Sequence, residues 1–240
     1  MNAFVALMDV TVRGLFGRRR LLIMLLLASI PVVLGVLVYL RGGRADADRV
    51  LGVLIVQTVM PLLALILGTA ALGSEIEDGT VIFLLTKPIP RWIVALAKLV
   101  VAMAATVILV IPVTIVTGLL IGGSDPDQMQ TTLAFAIACA AGGAAYAAVF
   151  VALSSLTARA LVAGLVYVLI WEGALGGLLE GTRFLSIRQA TLGLAAALGA
   201  KVSGDPPALP VCLLIIGIGV AGSFILVTRK LARFEIRGGD

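Results

Sequence analysis

Residues 74–99 read SEIEDGTVIFLLTKPIPRWIVALAKL. The stretch joins two long apolar runs, and its reading decides what those runs build. Three acids fall within four residues (Glu75, Glu77, Asp78), followed by Gly79-Thr80, a short apolar run and Lys87-Pro88-Ile89-Pro90-Arg91. Ser74 and Glu77 stand at capping-box spacing, which predicts a helix beginning there with the acids at its positive end. That helix can run to about Leu85 or Thr86. Pro88 then disfavours helix at Lys87, and Pro90 keeps the chain extended for another step. Arg91 and Trp92 sit where the next apolar run begins, a usual place for an aromatic anchor at a membrane surface. The apolar residues Val81, Ile82, Phe83, Leu84 and Leu85 would be costly to leave in water. Gly79 keeps one side thin enough for another surface to approach. Two readings stay open at this point: a docking element for a cytoplasmic protein, or a helix that plugs the inner end of a bundle.

The flanking runs are membrane spans. Of the 240 residues 61% are hydrophobic, and the mean hydropathy is +1.17, far above soluble domains. Runs of about 20 apolar residues, enough to cross a ~30 Å hydrocarbon core, recur at 21–40, 50–73, 93–121, 131–153, 160–180 and 210–228. The expected fold is an all-α integral membrane protein of six transmembrane helices, a single transmembrane domain over 1–240. The first run is too long for a signal-peptide core and no small-x-small cleavage site follows, so it reads as a retained span. Pro112 gives the third span a reason to bend.

Lys/Arg placement predicts the orientation. With both termini inside, twelve basic residues face the cytoplasm and six face outward, the bias expected of cytoplasmic termini. Segment 74–91 then lies on the cytoplasmic side. Residues 1–20 form an interfacial helix: Phe4, Met8, Val12, Leu15 and Phe16 recur at helical spacing, and Arg18–Arg20 stand at the headgroups. The outer connection, 181–209, holds SIRQATLGLAAALGAK, with Ser186 and Gln189 at capping-box spacing and Gly199 at the far end. A short outer helix is expected there, with the stripe Ile187, Ala190, Leu194, Leu198.

Inside the fifth run lies WEGALGGLLEG, residues 171–181. A charge in a span is costly and usually faces protein or water. At 3.6 residues per turn Glu172, Gly176 and Glu180 share one face. Glu172 and Glu180 are candidates for the translocation path, with Arg183 or Arg188 as a partner; the alternative is a structural Glu172 satisfied near the outer mouth. Gly118 and Gly122, and the stripe Gly173, Gly177, Gly181, permit close helix packing. Gln57, Thr58, Thr106, Thr114 and Thr117 could line a polar path, though threonine more often bonds its own helix.

The composition also excludes chemistry. Histidine is absent, which removes His-ligated metals and His-based triads. Cys139 and Cys212 lie in apolar runs and read as small hydrophobes. No Gly-x4-Gly-Lys-Ser/Thr string occurs, so the chain has no phosphate-cradling loop of its own. It is not expected to be an enzyme, to hold a cofactor or metal, or to bind nucleic acid. A membrane-embedded enzyme using Glu75, Glu77 and Asp78, and a non-transporting membrane scaffold, are the alternatives from other classes.

The pattern Glu75, Gly79-Thr80, Leu84-Leu85-Thr86-Lys87-Pro88-Ile89-Pro90-Arg91 and Lys98 resembles the cytoplasmic loop of type-2 ABC transporter permeases. The six-span plan, the interfacial helix and the long last connection resemble that family too. The resemblance implies that segment 74–91 is the coupling helix region, which inserts into a groove on a separate P-loop ATPase subunit, with Glu75, Glu77, Asp78, Gly79, Thr80, Lys87, Pro88 and Arg91 at or near the contact. It implies that ATP and Mg are bound by that partner, and that a second permease chain completes a homo- or heterodimer. It further implies export across a bacterial plasma (inner) membrane. The excess of Arg over Lys and the Ala/Gly/Val richness fit a GC-rich bacterial source.

Overall fold

A computed structural model describes residues 3–41, 47–77, 90–123, 125–157, 159–175, 186–202 and 204–234. Among these there is helix and no strand. Helix α1 spans Ala3–Leu15 and α2 Arg18–Leu40; α3 is α-helical over Ala47–Val50, π-helical over Leu51–Val59 and α-helical again over Met60–Glu77. Helix α4 spans Arg91–Gly122, α5 Pro126–Leu156, and α6 Ala160–Val166, continued as π-helix over Tyr167–Leu175. Helix α7 spans Ile187–Ala197 and α8 Leu209–Phe234.

Five helices among the described residues are long and apolar enough to cross a membrane: α2, Ala47–Gly73 of α3, α4, α5 and Leu209–Ala232 of α8. The expected fifth span is the exception. Its described part, Ala160–Gly173, is apolar but shorter, and residues 176–185 lie outside the described set. The sixfold span count is therefore not reached among the described residues. The chain is a multi-pass membrane protein.

Helix α5 is the axis of the bundle and packs against α3, α4, α7 and α8. Its side chains Phe135, Tyr146 and Phe150 are wholly buried, with Tyr146 stacked on Phe150 at 5.9 Å. Helices α2 and α8 lie outside it and expose Leu22, Leu26, Leu214 and Ile218, apolar surface suited to lipid. Threonines inside the bundle bond their own helices: Thr106 to the carbonyl of Ala102 and Thr114 to that of Val110, both at 2.8 Å. The Thr117 Oγ1 is buried too, with no such bond among the described residues.

Small residues set the helix spacing, as lipid-embedded packing requires. Gly118 and Gly122 face Thr132 and Gln128 of α5, so this GxxxG pair closes the α4–α5 hairpin within one chain. A Cβ on Gly68 would stand 2.7 Å from Phe150 Cβ and 2.8 Å from the carbonyl oxygen of Ala147. The second neighbour is backbone, so α3 and α5 would have to separate. Gly68→Ala is expected to cost about 1–3 kcal/mol, read as a lower melting temperature. Gly73→Ala, whose nearest neighbour is Ser154 Cβ at 3.7 Å, should be close to neutral. Equal melting temperatures for the two variants would contradict this α3–α5 packing.

Helix α1 covers part of the expected segment, Ala3–Leu15, and packs against α3 and α4. It buries Leu7, Thr11 and Leu15, while Val12 and Phe16 of the expected stripe are exposed. Asp9 and Arg13 pair at 3.0 Å on its open face. Gly17 then turns the chain directly into α2.

Candidate functional site

The candidate residues fall at two ends of the bundle. At the α1 end, the chain leaves α3 and returns as α4. Helix α3 continues through Glu77, which corrects the expected boundary. Ser74 lies inside the helix, not at its start, and Glu75 and Glu77 stand on its last turn. Capping-box spacing also occurs by chance within a helix, and here the propagating second span overrides it. Asp78, Gly79, Thr80, Lys87 and Pro88 lie outside the described residues. Arg91 opens α4, with Pro90 as its N-cap and the Ile93 amide donating to the Pro90 carbonyl at 3.0 Å. Trp92 beside it is 52% exposed, as an interfacial anchor would be. Two turns further, Lys98 is buried.

At the opposite end, Glu172 is 2% exposed and its carboxylate holds three donors. The Tyr167 hydroxyl donates to Oε1 at 3.2 Å and the Ile187 amide to Oε1 at 3.1 Å. The Ser186 hydroxyl donates to Oε2 in a short bond. Ser186 is also the N-cap of α7 and accepts from the Gln189 amide at 3.1 Å. Glu172 thus sits at the N-terminus of α7, where the helix dipole and the free amides favour a carboxylate. The Tyr146 hydroxyl is a near neighbour of the same carboxylate.

The expected face of Glu172 and Glu180 presumed an α-helix, whereas Tyr167–Leu175 is π-helical; Gly176 lies outside the described residues. In a π-helix residues five apart meet, which is why Tyr167 reaches Glu172. Glu180 and Arg183 lie outside the described residues. Arg188 does approach Glu172, but its Nη1 donates to the backbone carbonyl at 3.1 Å, not to the carboxylate.

The far end of α7 closes as its sequence predicts. The Gly199 amide donates to the Ala196 carbonyl and the Ala200 amide to that of Ala195, both at 3.0 Å. With Gly199 at φ +98° these bonds make a Schellman motif, whose positive φ favours glycine. Between its ends α7 lies across the bundle: Leu192 approaches Gly52 in the π-helical part of α3, and Thr191 fills the space a Cβ on Gly142 of α5 would need. One short helix therefore touches both π-helical segments and the central helix. Gly193 leaves room for Cys212 of α8.

Among the described residues no group of three or more His, Cys, Asp or Glu could hold a metal ion. The Glu172 carboxylate accepts from Tyr167, Ser186 and Ile187. A scan against family models matches residues 39–189 to the ABC-2 family transporter protein model. The chain belongs to the ABC-2 transporter family. The match runs from the end of α2 to Gln189 in α7, and so takes in the 74–91 segment and Glu172 alike. No curated protein matches the sequence. This ABC-2 chain is accordingly a membrane permease of an ABC transporter, a transport subunit rather than a catalyst. Sequence reasoning missed the roles of Tyr167 and Ser186, since their meeting with Glu172 depends on the π-helix and on a long connection returning to it.

Proposed function

We propose that this permease works as half of an exporter in a bacterial inner membrane, both termini cytoplasmic, driven through residues 74–91 by a separate P-loop ATPase subunit that binds ATP and Mg. A second permease chain completes the complex. The observation that carries the reading is the family match spanning both the acidic segment and the Glu172 site. The path of α3 supports it. This helix runs about 45 Å at ~1.5 Å per residue, from Ala47, five residues before Gly52 meets Leu192 of α7, to Glu77 at the acidic segment.

Closure of the ATPase dimer pulls on the end of α3. The displacement reaches Gly52 and Leu192, and α7 responds as a body because Glu172 and Ser186 tie it to α6. ATP drives this only by favouring one of the two conformations. Glu75, Glu77, Asp78, Gly79, Thr80, Lys87, Pro88 and Arg91 make the contact; Glu172 acts by positioning α7. The test is affinity purification from the native membrane in a gentle detergent. A stoichiometric subunit carrying a P-loop is expected. A clean preparation lacking one, under conditions that keep known complexes intact, would return weight to the scaffold and enzyme alternatives.

A further inference from the structure

A cavity of about 510 Å³ opens at the α1 end of the bundle, within the ~300–1,000 Å³ range of small-molecule sites. Helix α2 forms one wall through Ile23 and Leu26, and α6 the other through Leu161 and Leu165; α3 is its floor. Arg20, Gly73 and Thr157 stand at its rim, at the ends of their helices. From Arg20 to Leu27 the cavity reaches about 10 Å into the apolar zone. Its walls are greasy even where the residues are polar. The Thr69 hydroxyl is spent on the Leu65 carbonyl at 2.6 Å and that of Ser154 on Val151 at 2.8 Å. Arg20 is the cation of this lining. Its one described bond is long, Nη1 to the Gly14 carbonyl at 3.4 Å.

We infer that this cavity holds one resident anionic phospholipid, with an acyl chain between α2 and α6 and the phosphate on the Arg20 guanidinium. An apolar slot at acyl-chain depth with a cation at headgroup level matches an anionic amphiphile in both chemistry and register. Arginine suits the phosphate because its planar donors can bind it in pairs. Charge argues against a second copy of the chain as occupant. Packing about a two-fold axis would bring another Arg18–Arg20 cluster towards the same rim. The inference goes beyond the transporter reading and stands or falls without the ATPase.

The test is native mass spectrometry of the purified chain, delipidated and titrated with phosphatidylglycerol or phosphatidylcholine of identical acyl chains. The unmodified protein is expected to retain one phosphatidylglycerol in preference to phosphatidylcholine. Arg20→Gln should reduce that preference about tenfold or more. Arg18→Gln with Arg19→Gln should leave it in place. Ala70→Phe, which fills the floor of the cavity, should abolish retention of either lipid while the protein stays monodisperse. Equal retention of the two lipids by the unmodified protein would overturn the inference. So would loss of preference on changing Arg18 and Arg19 but not Arg20, which would mark diffuse surface attraction. Disulfide cross-linking of Ile23→Cys between two copies, with no retained lipid, would show that a second chain fills the cavity and would equally overturn it.

Discussion

Glu172→Ala yields a permease that inserts into the membrane and melts roughly 10 °C lower than the unmodified chain. The substitution strands three donors, the buried Ser186 hydroxyl and Ile187 amide and the part-buried Tyr167 hydroxyl. It also removes the acceptor at the start of α7. Breaking such a site from one side costs on the order of 3–5 kcal/mol, mostly as desolvated groups left without partners. Glu172→Gln keeps one acceptor oxygen but sets an amide NH2 against a donor, so about 1–2 kcal/mol is expected. Thermal unfolding in a fixed detergent checks both. Ser186→Ala adds a sharper control, because Ser186 serves the carboxylate and the helix cap together. Its effect and that of Glu172→Gln should be non-additive by at least ~0.5 kcal/mol. Additive losses would mean that Glu172 does not hold α7. None of these changes should alter ATPase binding, which the proposal places at the other end of the bundle.

Charge reversal of Glu77 and Asp78 to lysine has the opposite signature. Insertion and melting temperature stay close to those of the unmodified chain, and ATPase association is lost. Glu77 is the last residue of α3, past Gly73 where its membrane-crossing stretch stops, and the proposal puts the pair at the ATPase contact rather than in the bundle. A pair of like charges facing a complementary groove is a strong barrier to binding, costing several kcal/mol. That corresponds to a loss of more than ~100-fold in affinity. Co-purification with quantitative detection of the P-loop subunit reads it directly. A double variant that binds and transports normally would remove these two residues from the contact.

What the sequence showed depended on how locally each feature was encoded. Helix α7 was legible at both ends, since an N-cap serine and a left-handed glycine act within a few residues of themselves. Only Leu198 departed from its stripe, because it is the C-cap of the helix and turns outward there, 38% exposed. The partners of Glu172 were not legible. A π-helix shifts residue spacing from the 3.6 period on which any face is drawn, and nothing in YVLIWEGAL announces it. Ser74 misled for the converse reason: its spacing to Glu77 is a cap signal only where a helix begins. The glycines 118 and 122 were legible as packing sites but not as an intrachain hairpin, since small-residue spacing carries no record of the surface it meets. The chemistry expected at Asp78 to Pro88 falls outside the described residues, and experiment must address it.

The most direct measurement is a site-specific cross-link from the acidic segment. A Gly79→Cys chain, with Cys139 and Cys212 buried and left in place, would carry a short thiol-reactive cross-linker in membranes containing the ATPase. The account predicts an adduct between position 79 and the P-loop subunit that disappears when Glu77 and Asp78 are reversed. It predicts none from a cysteine at Arg49, which lies beside Arg188 and Leu192 at the other end of the bundle. An adduct from position 49 instead, or none from Gly79 in a complex shown to be intact, would contradict coupling through this loop.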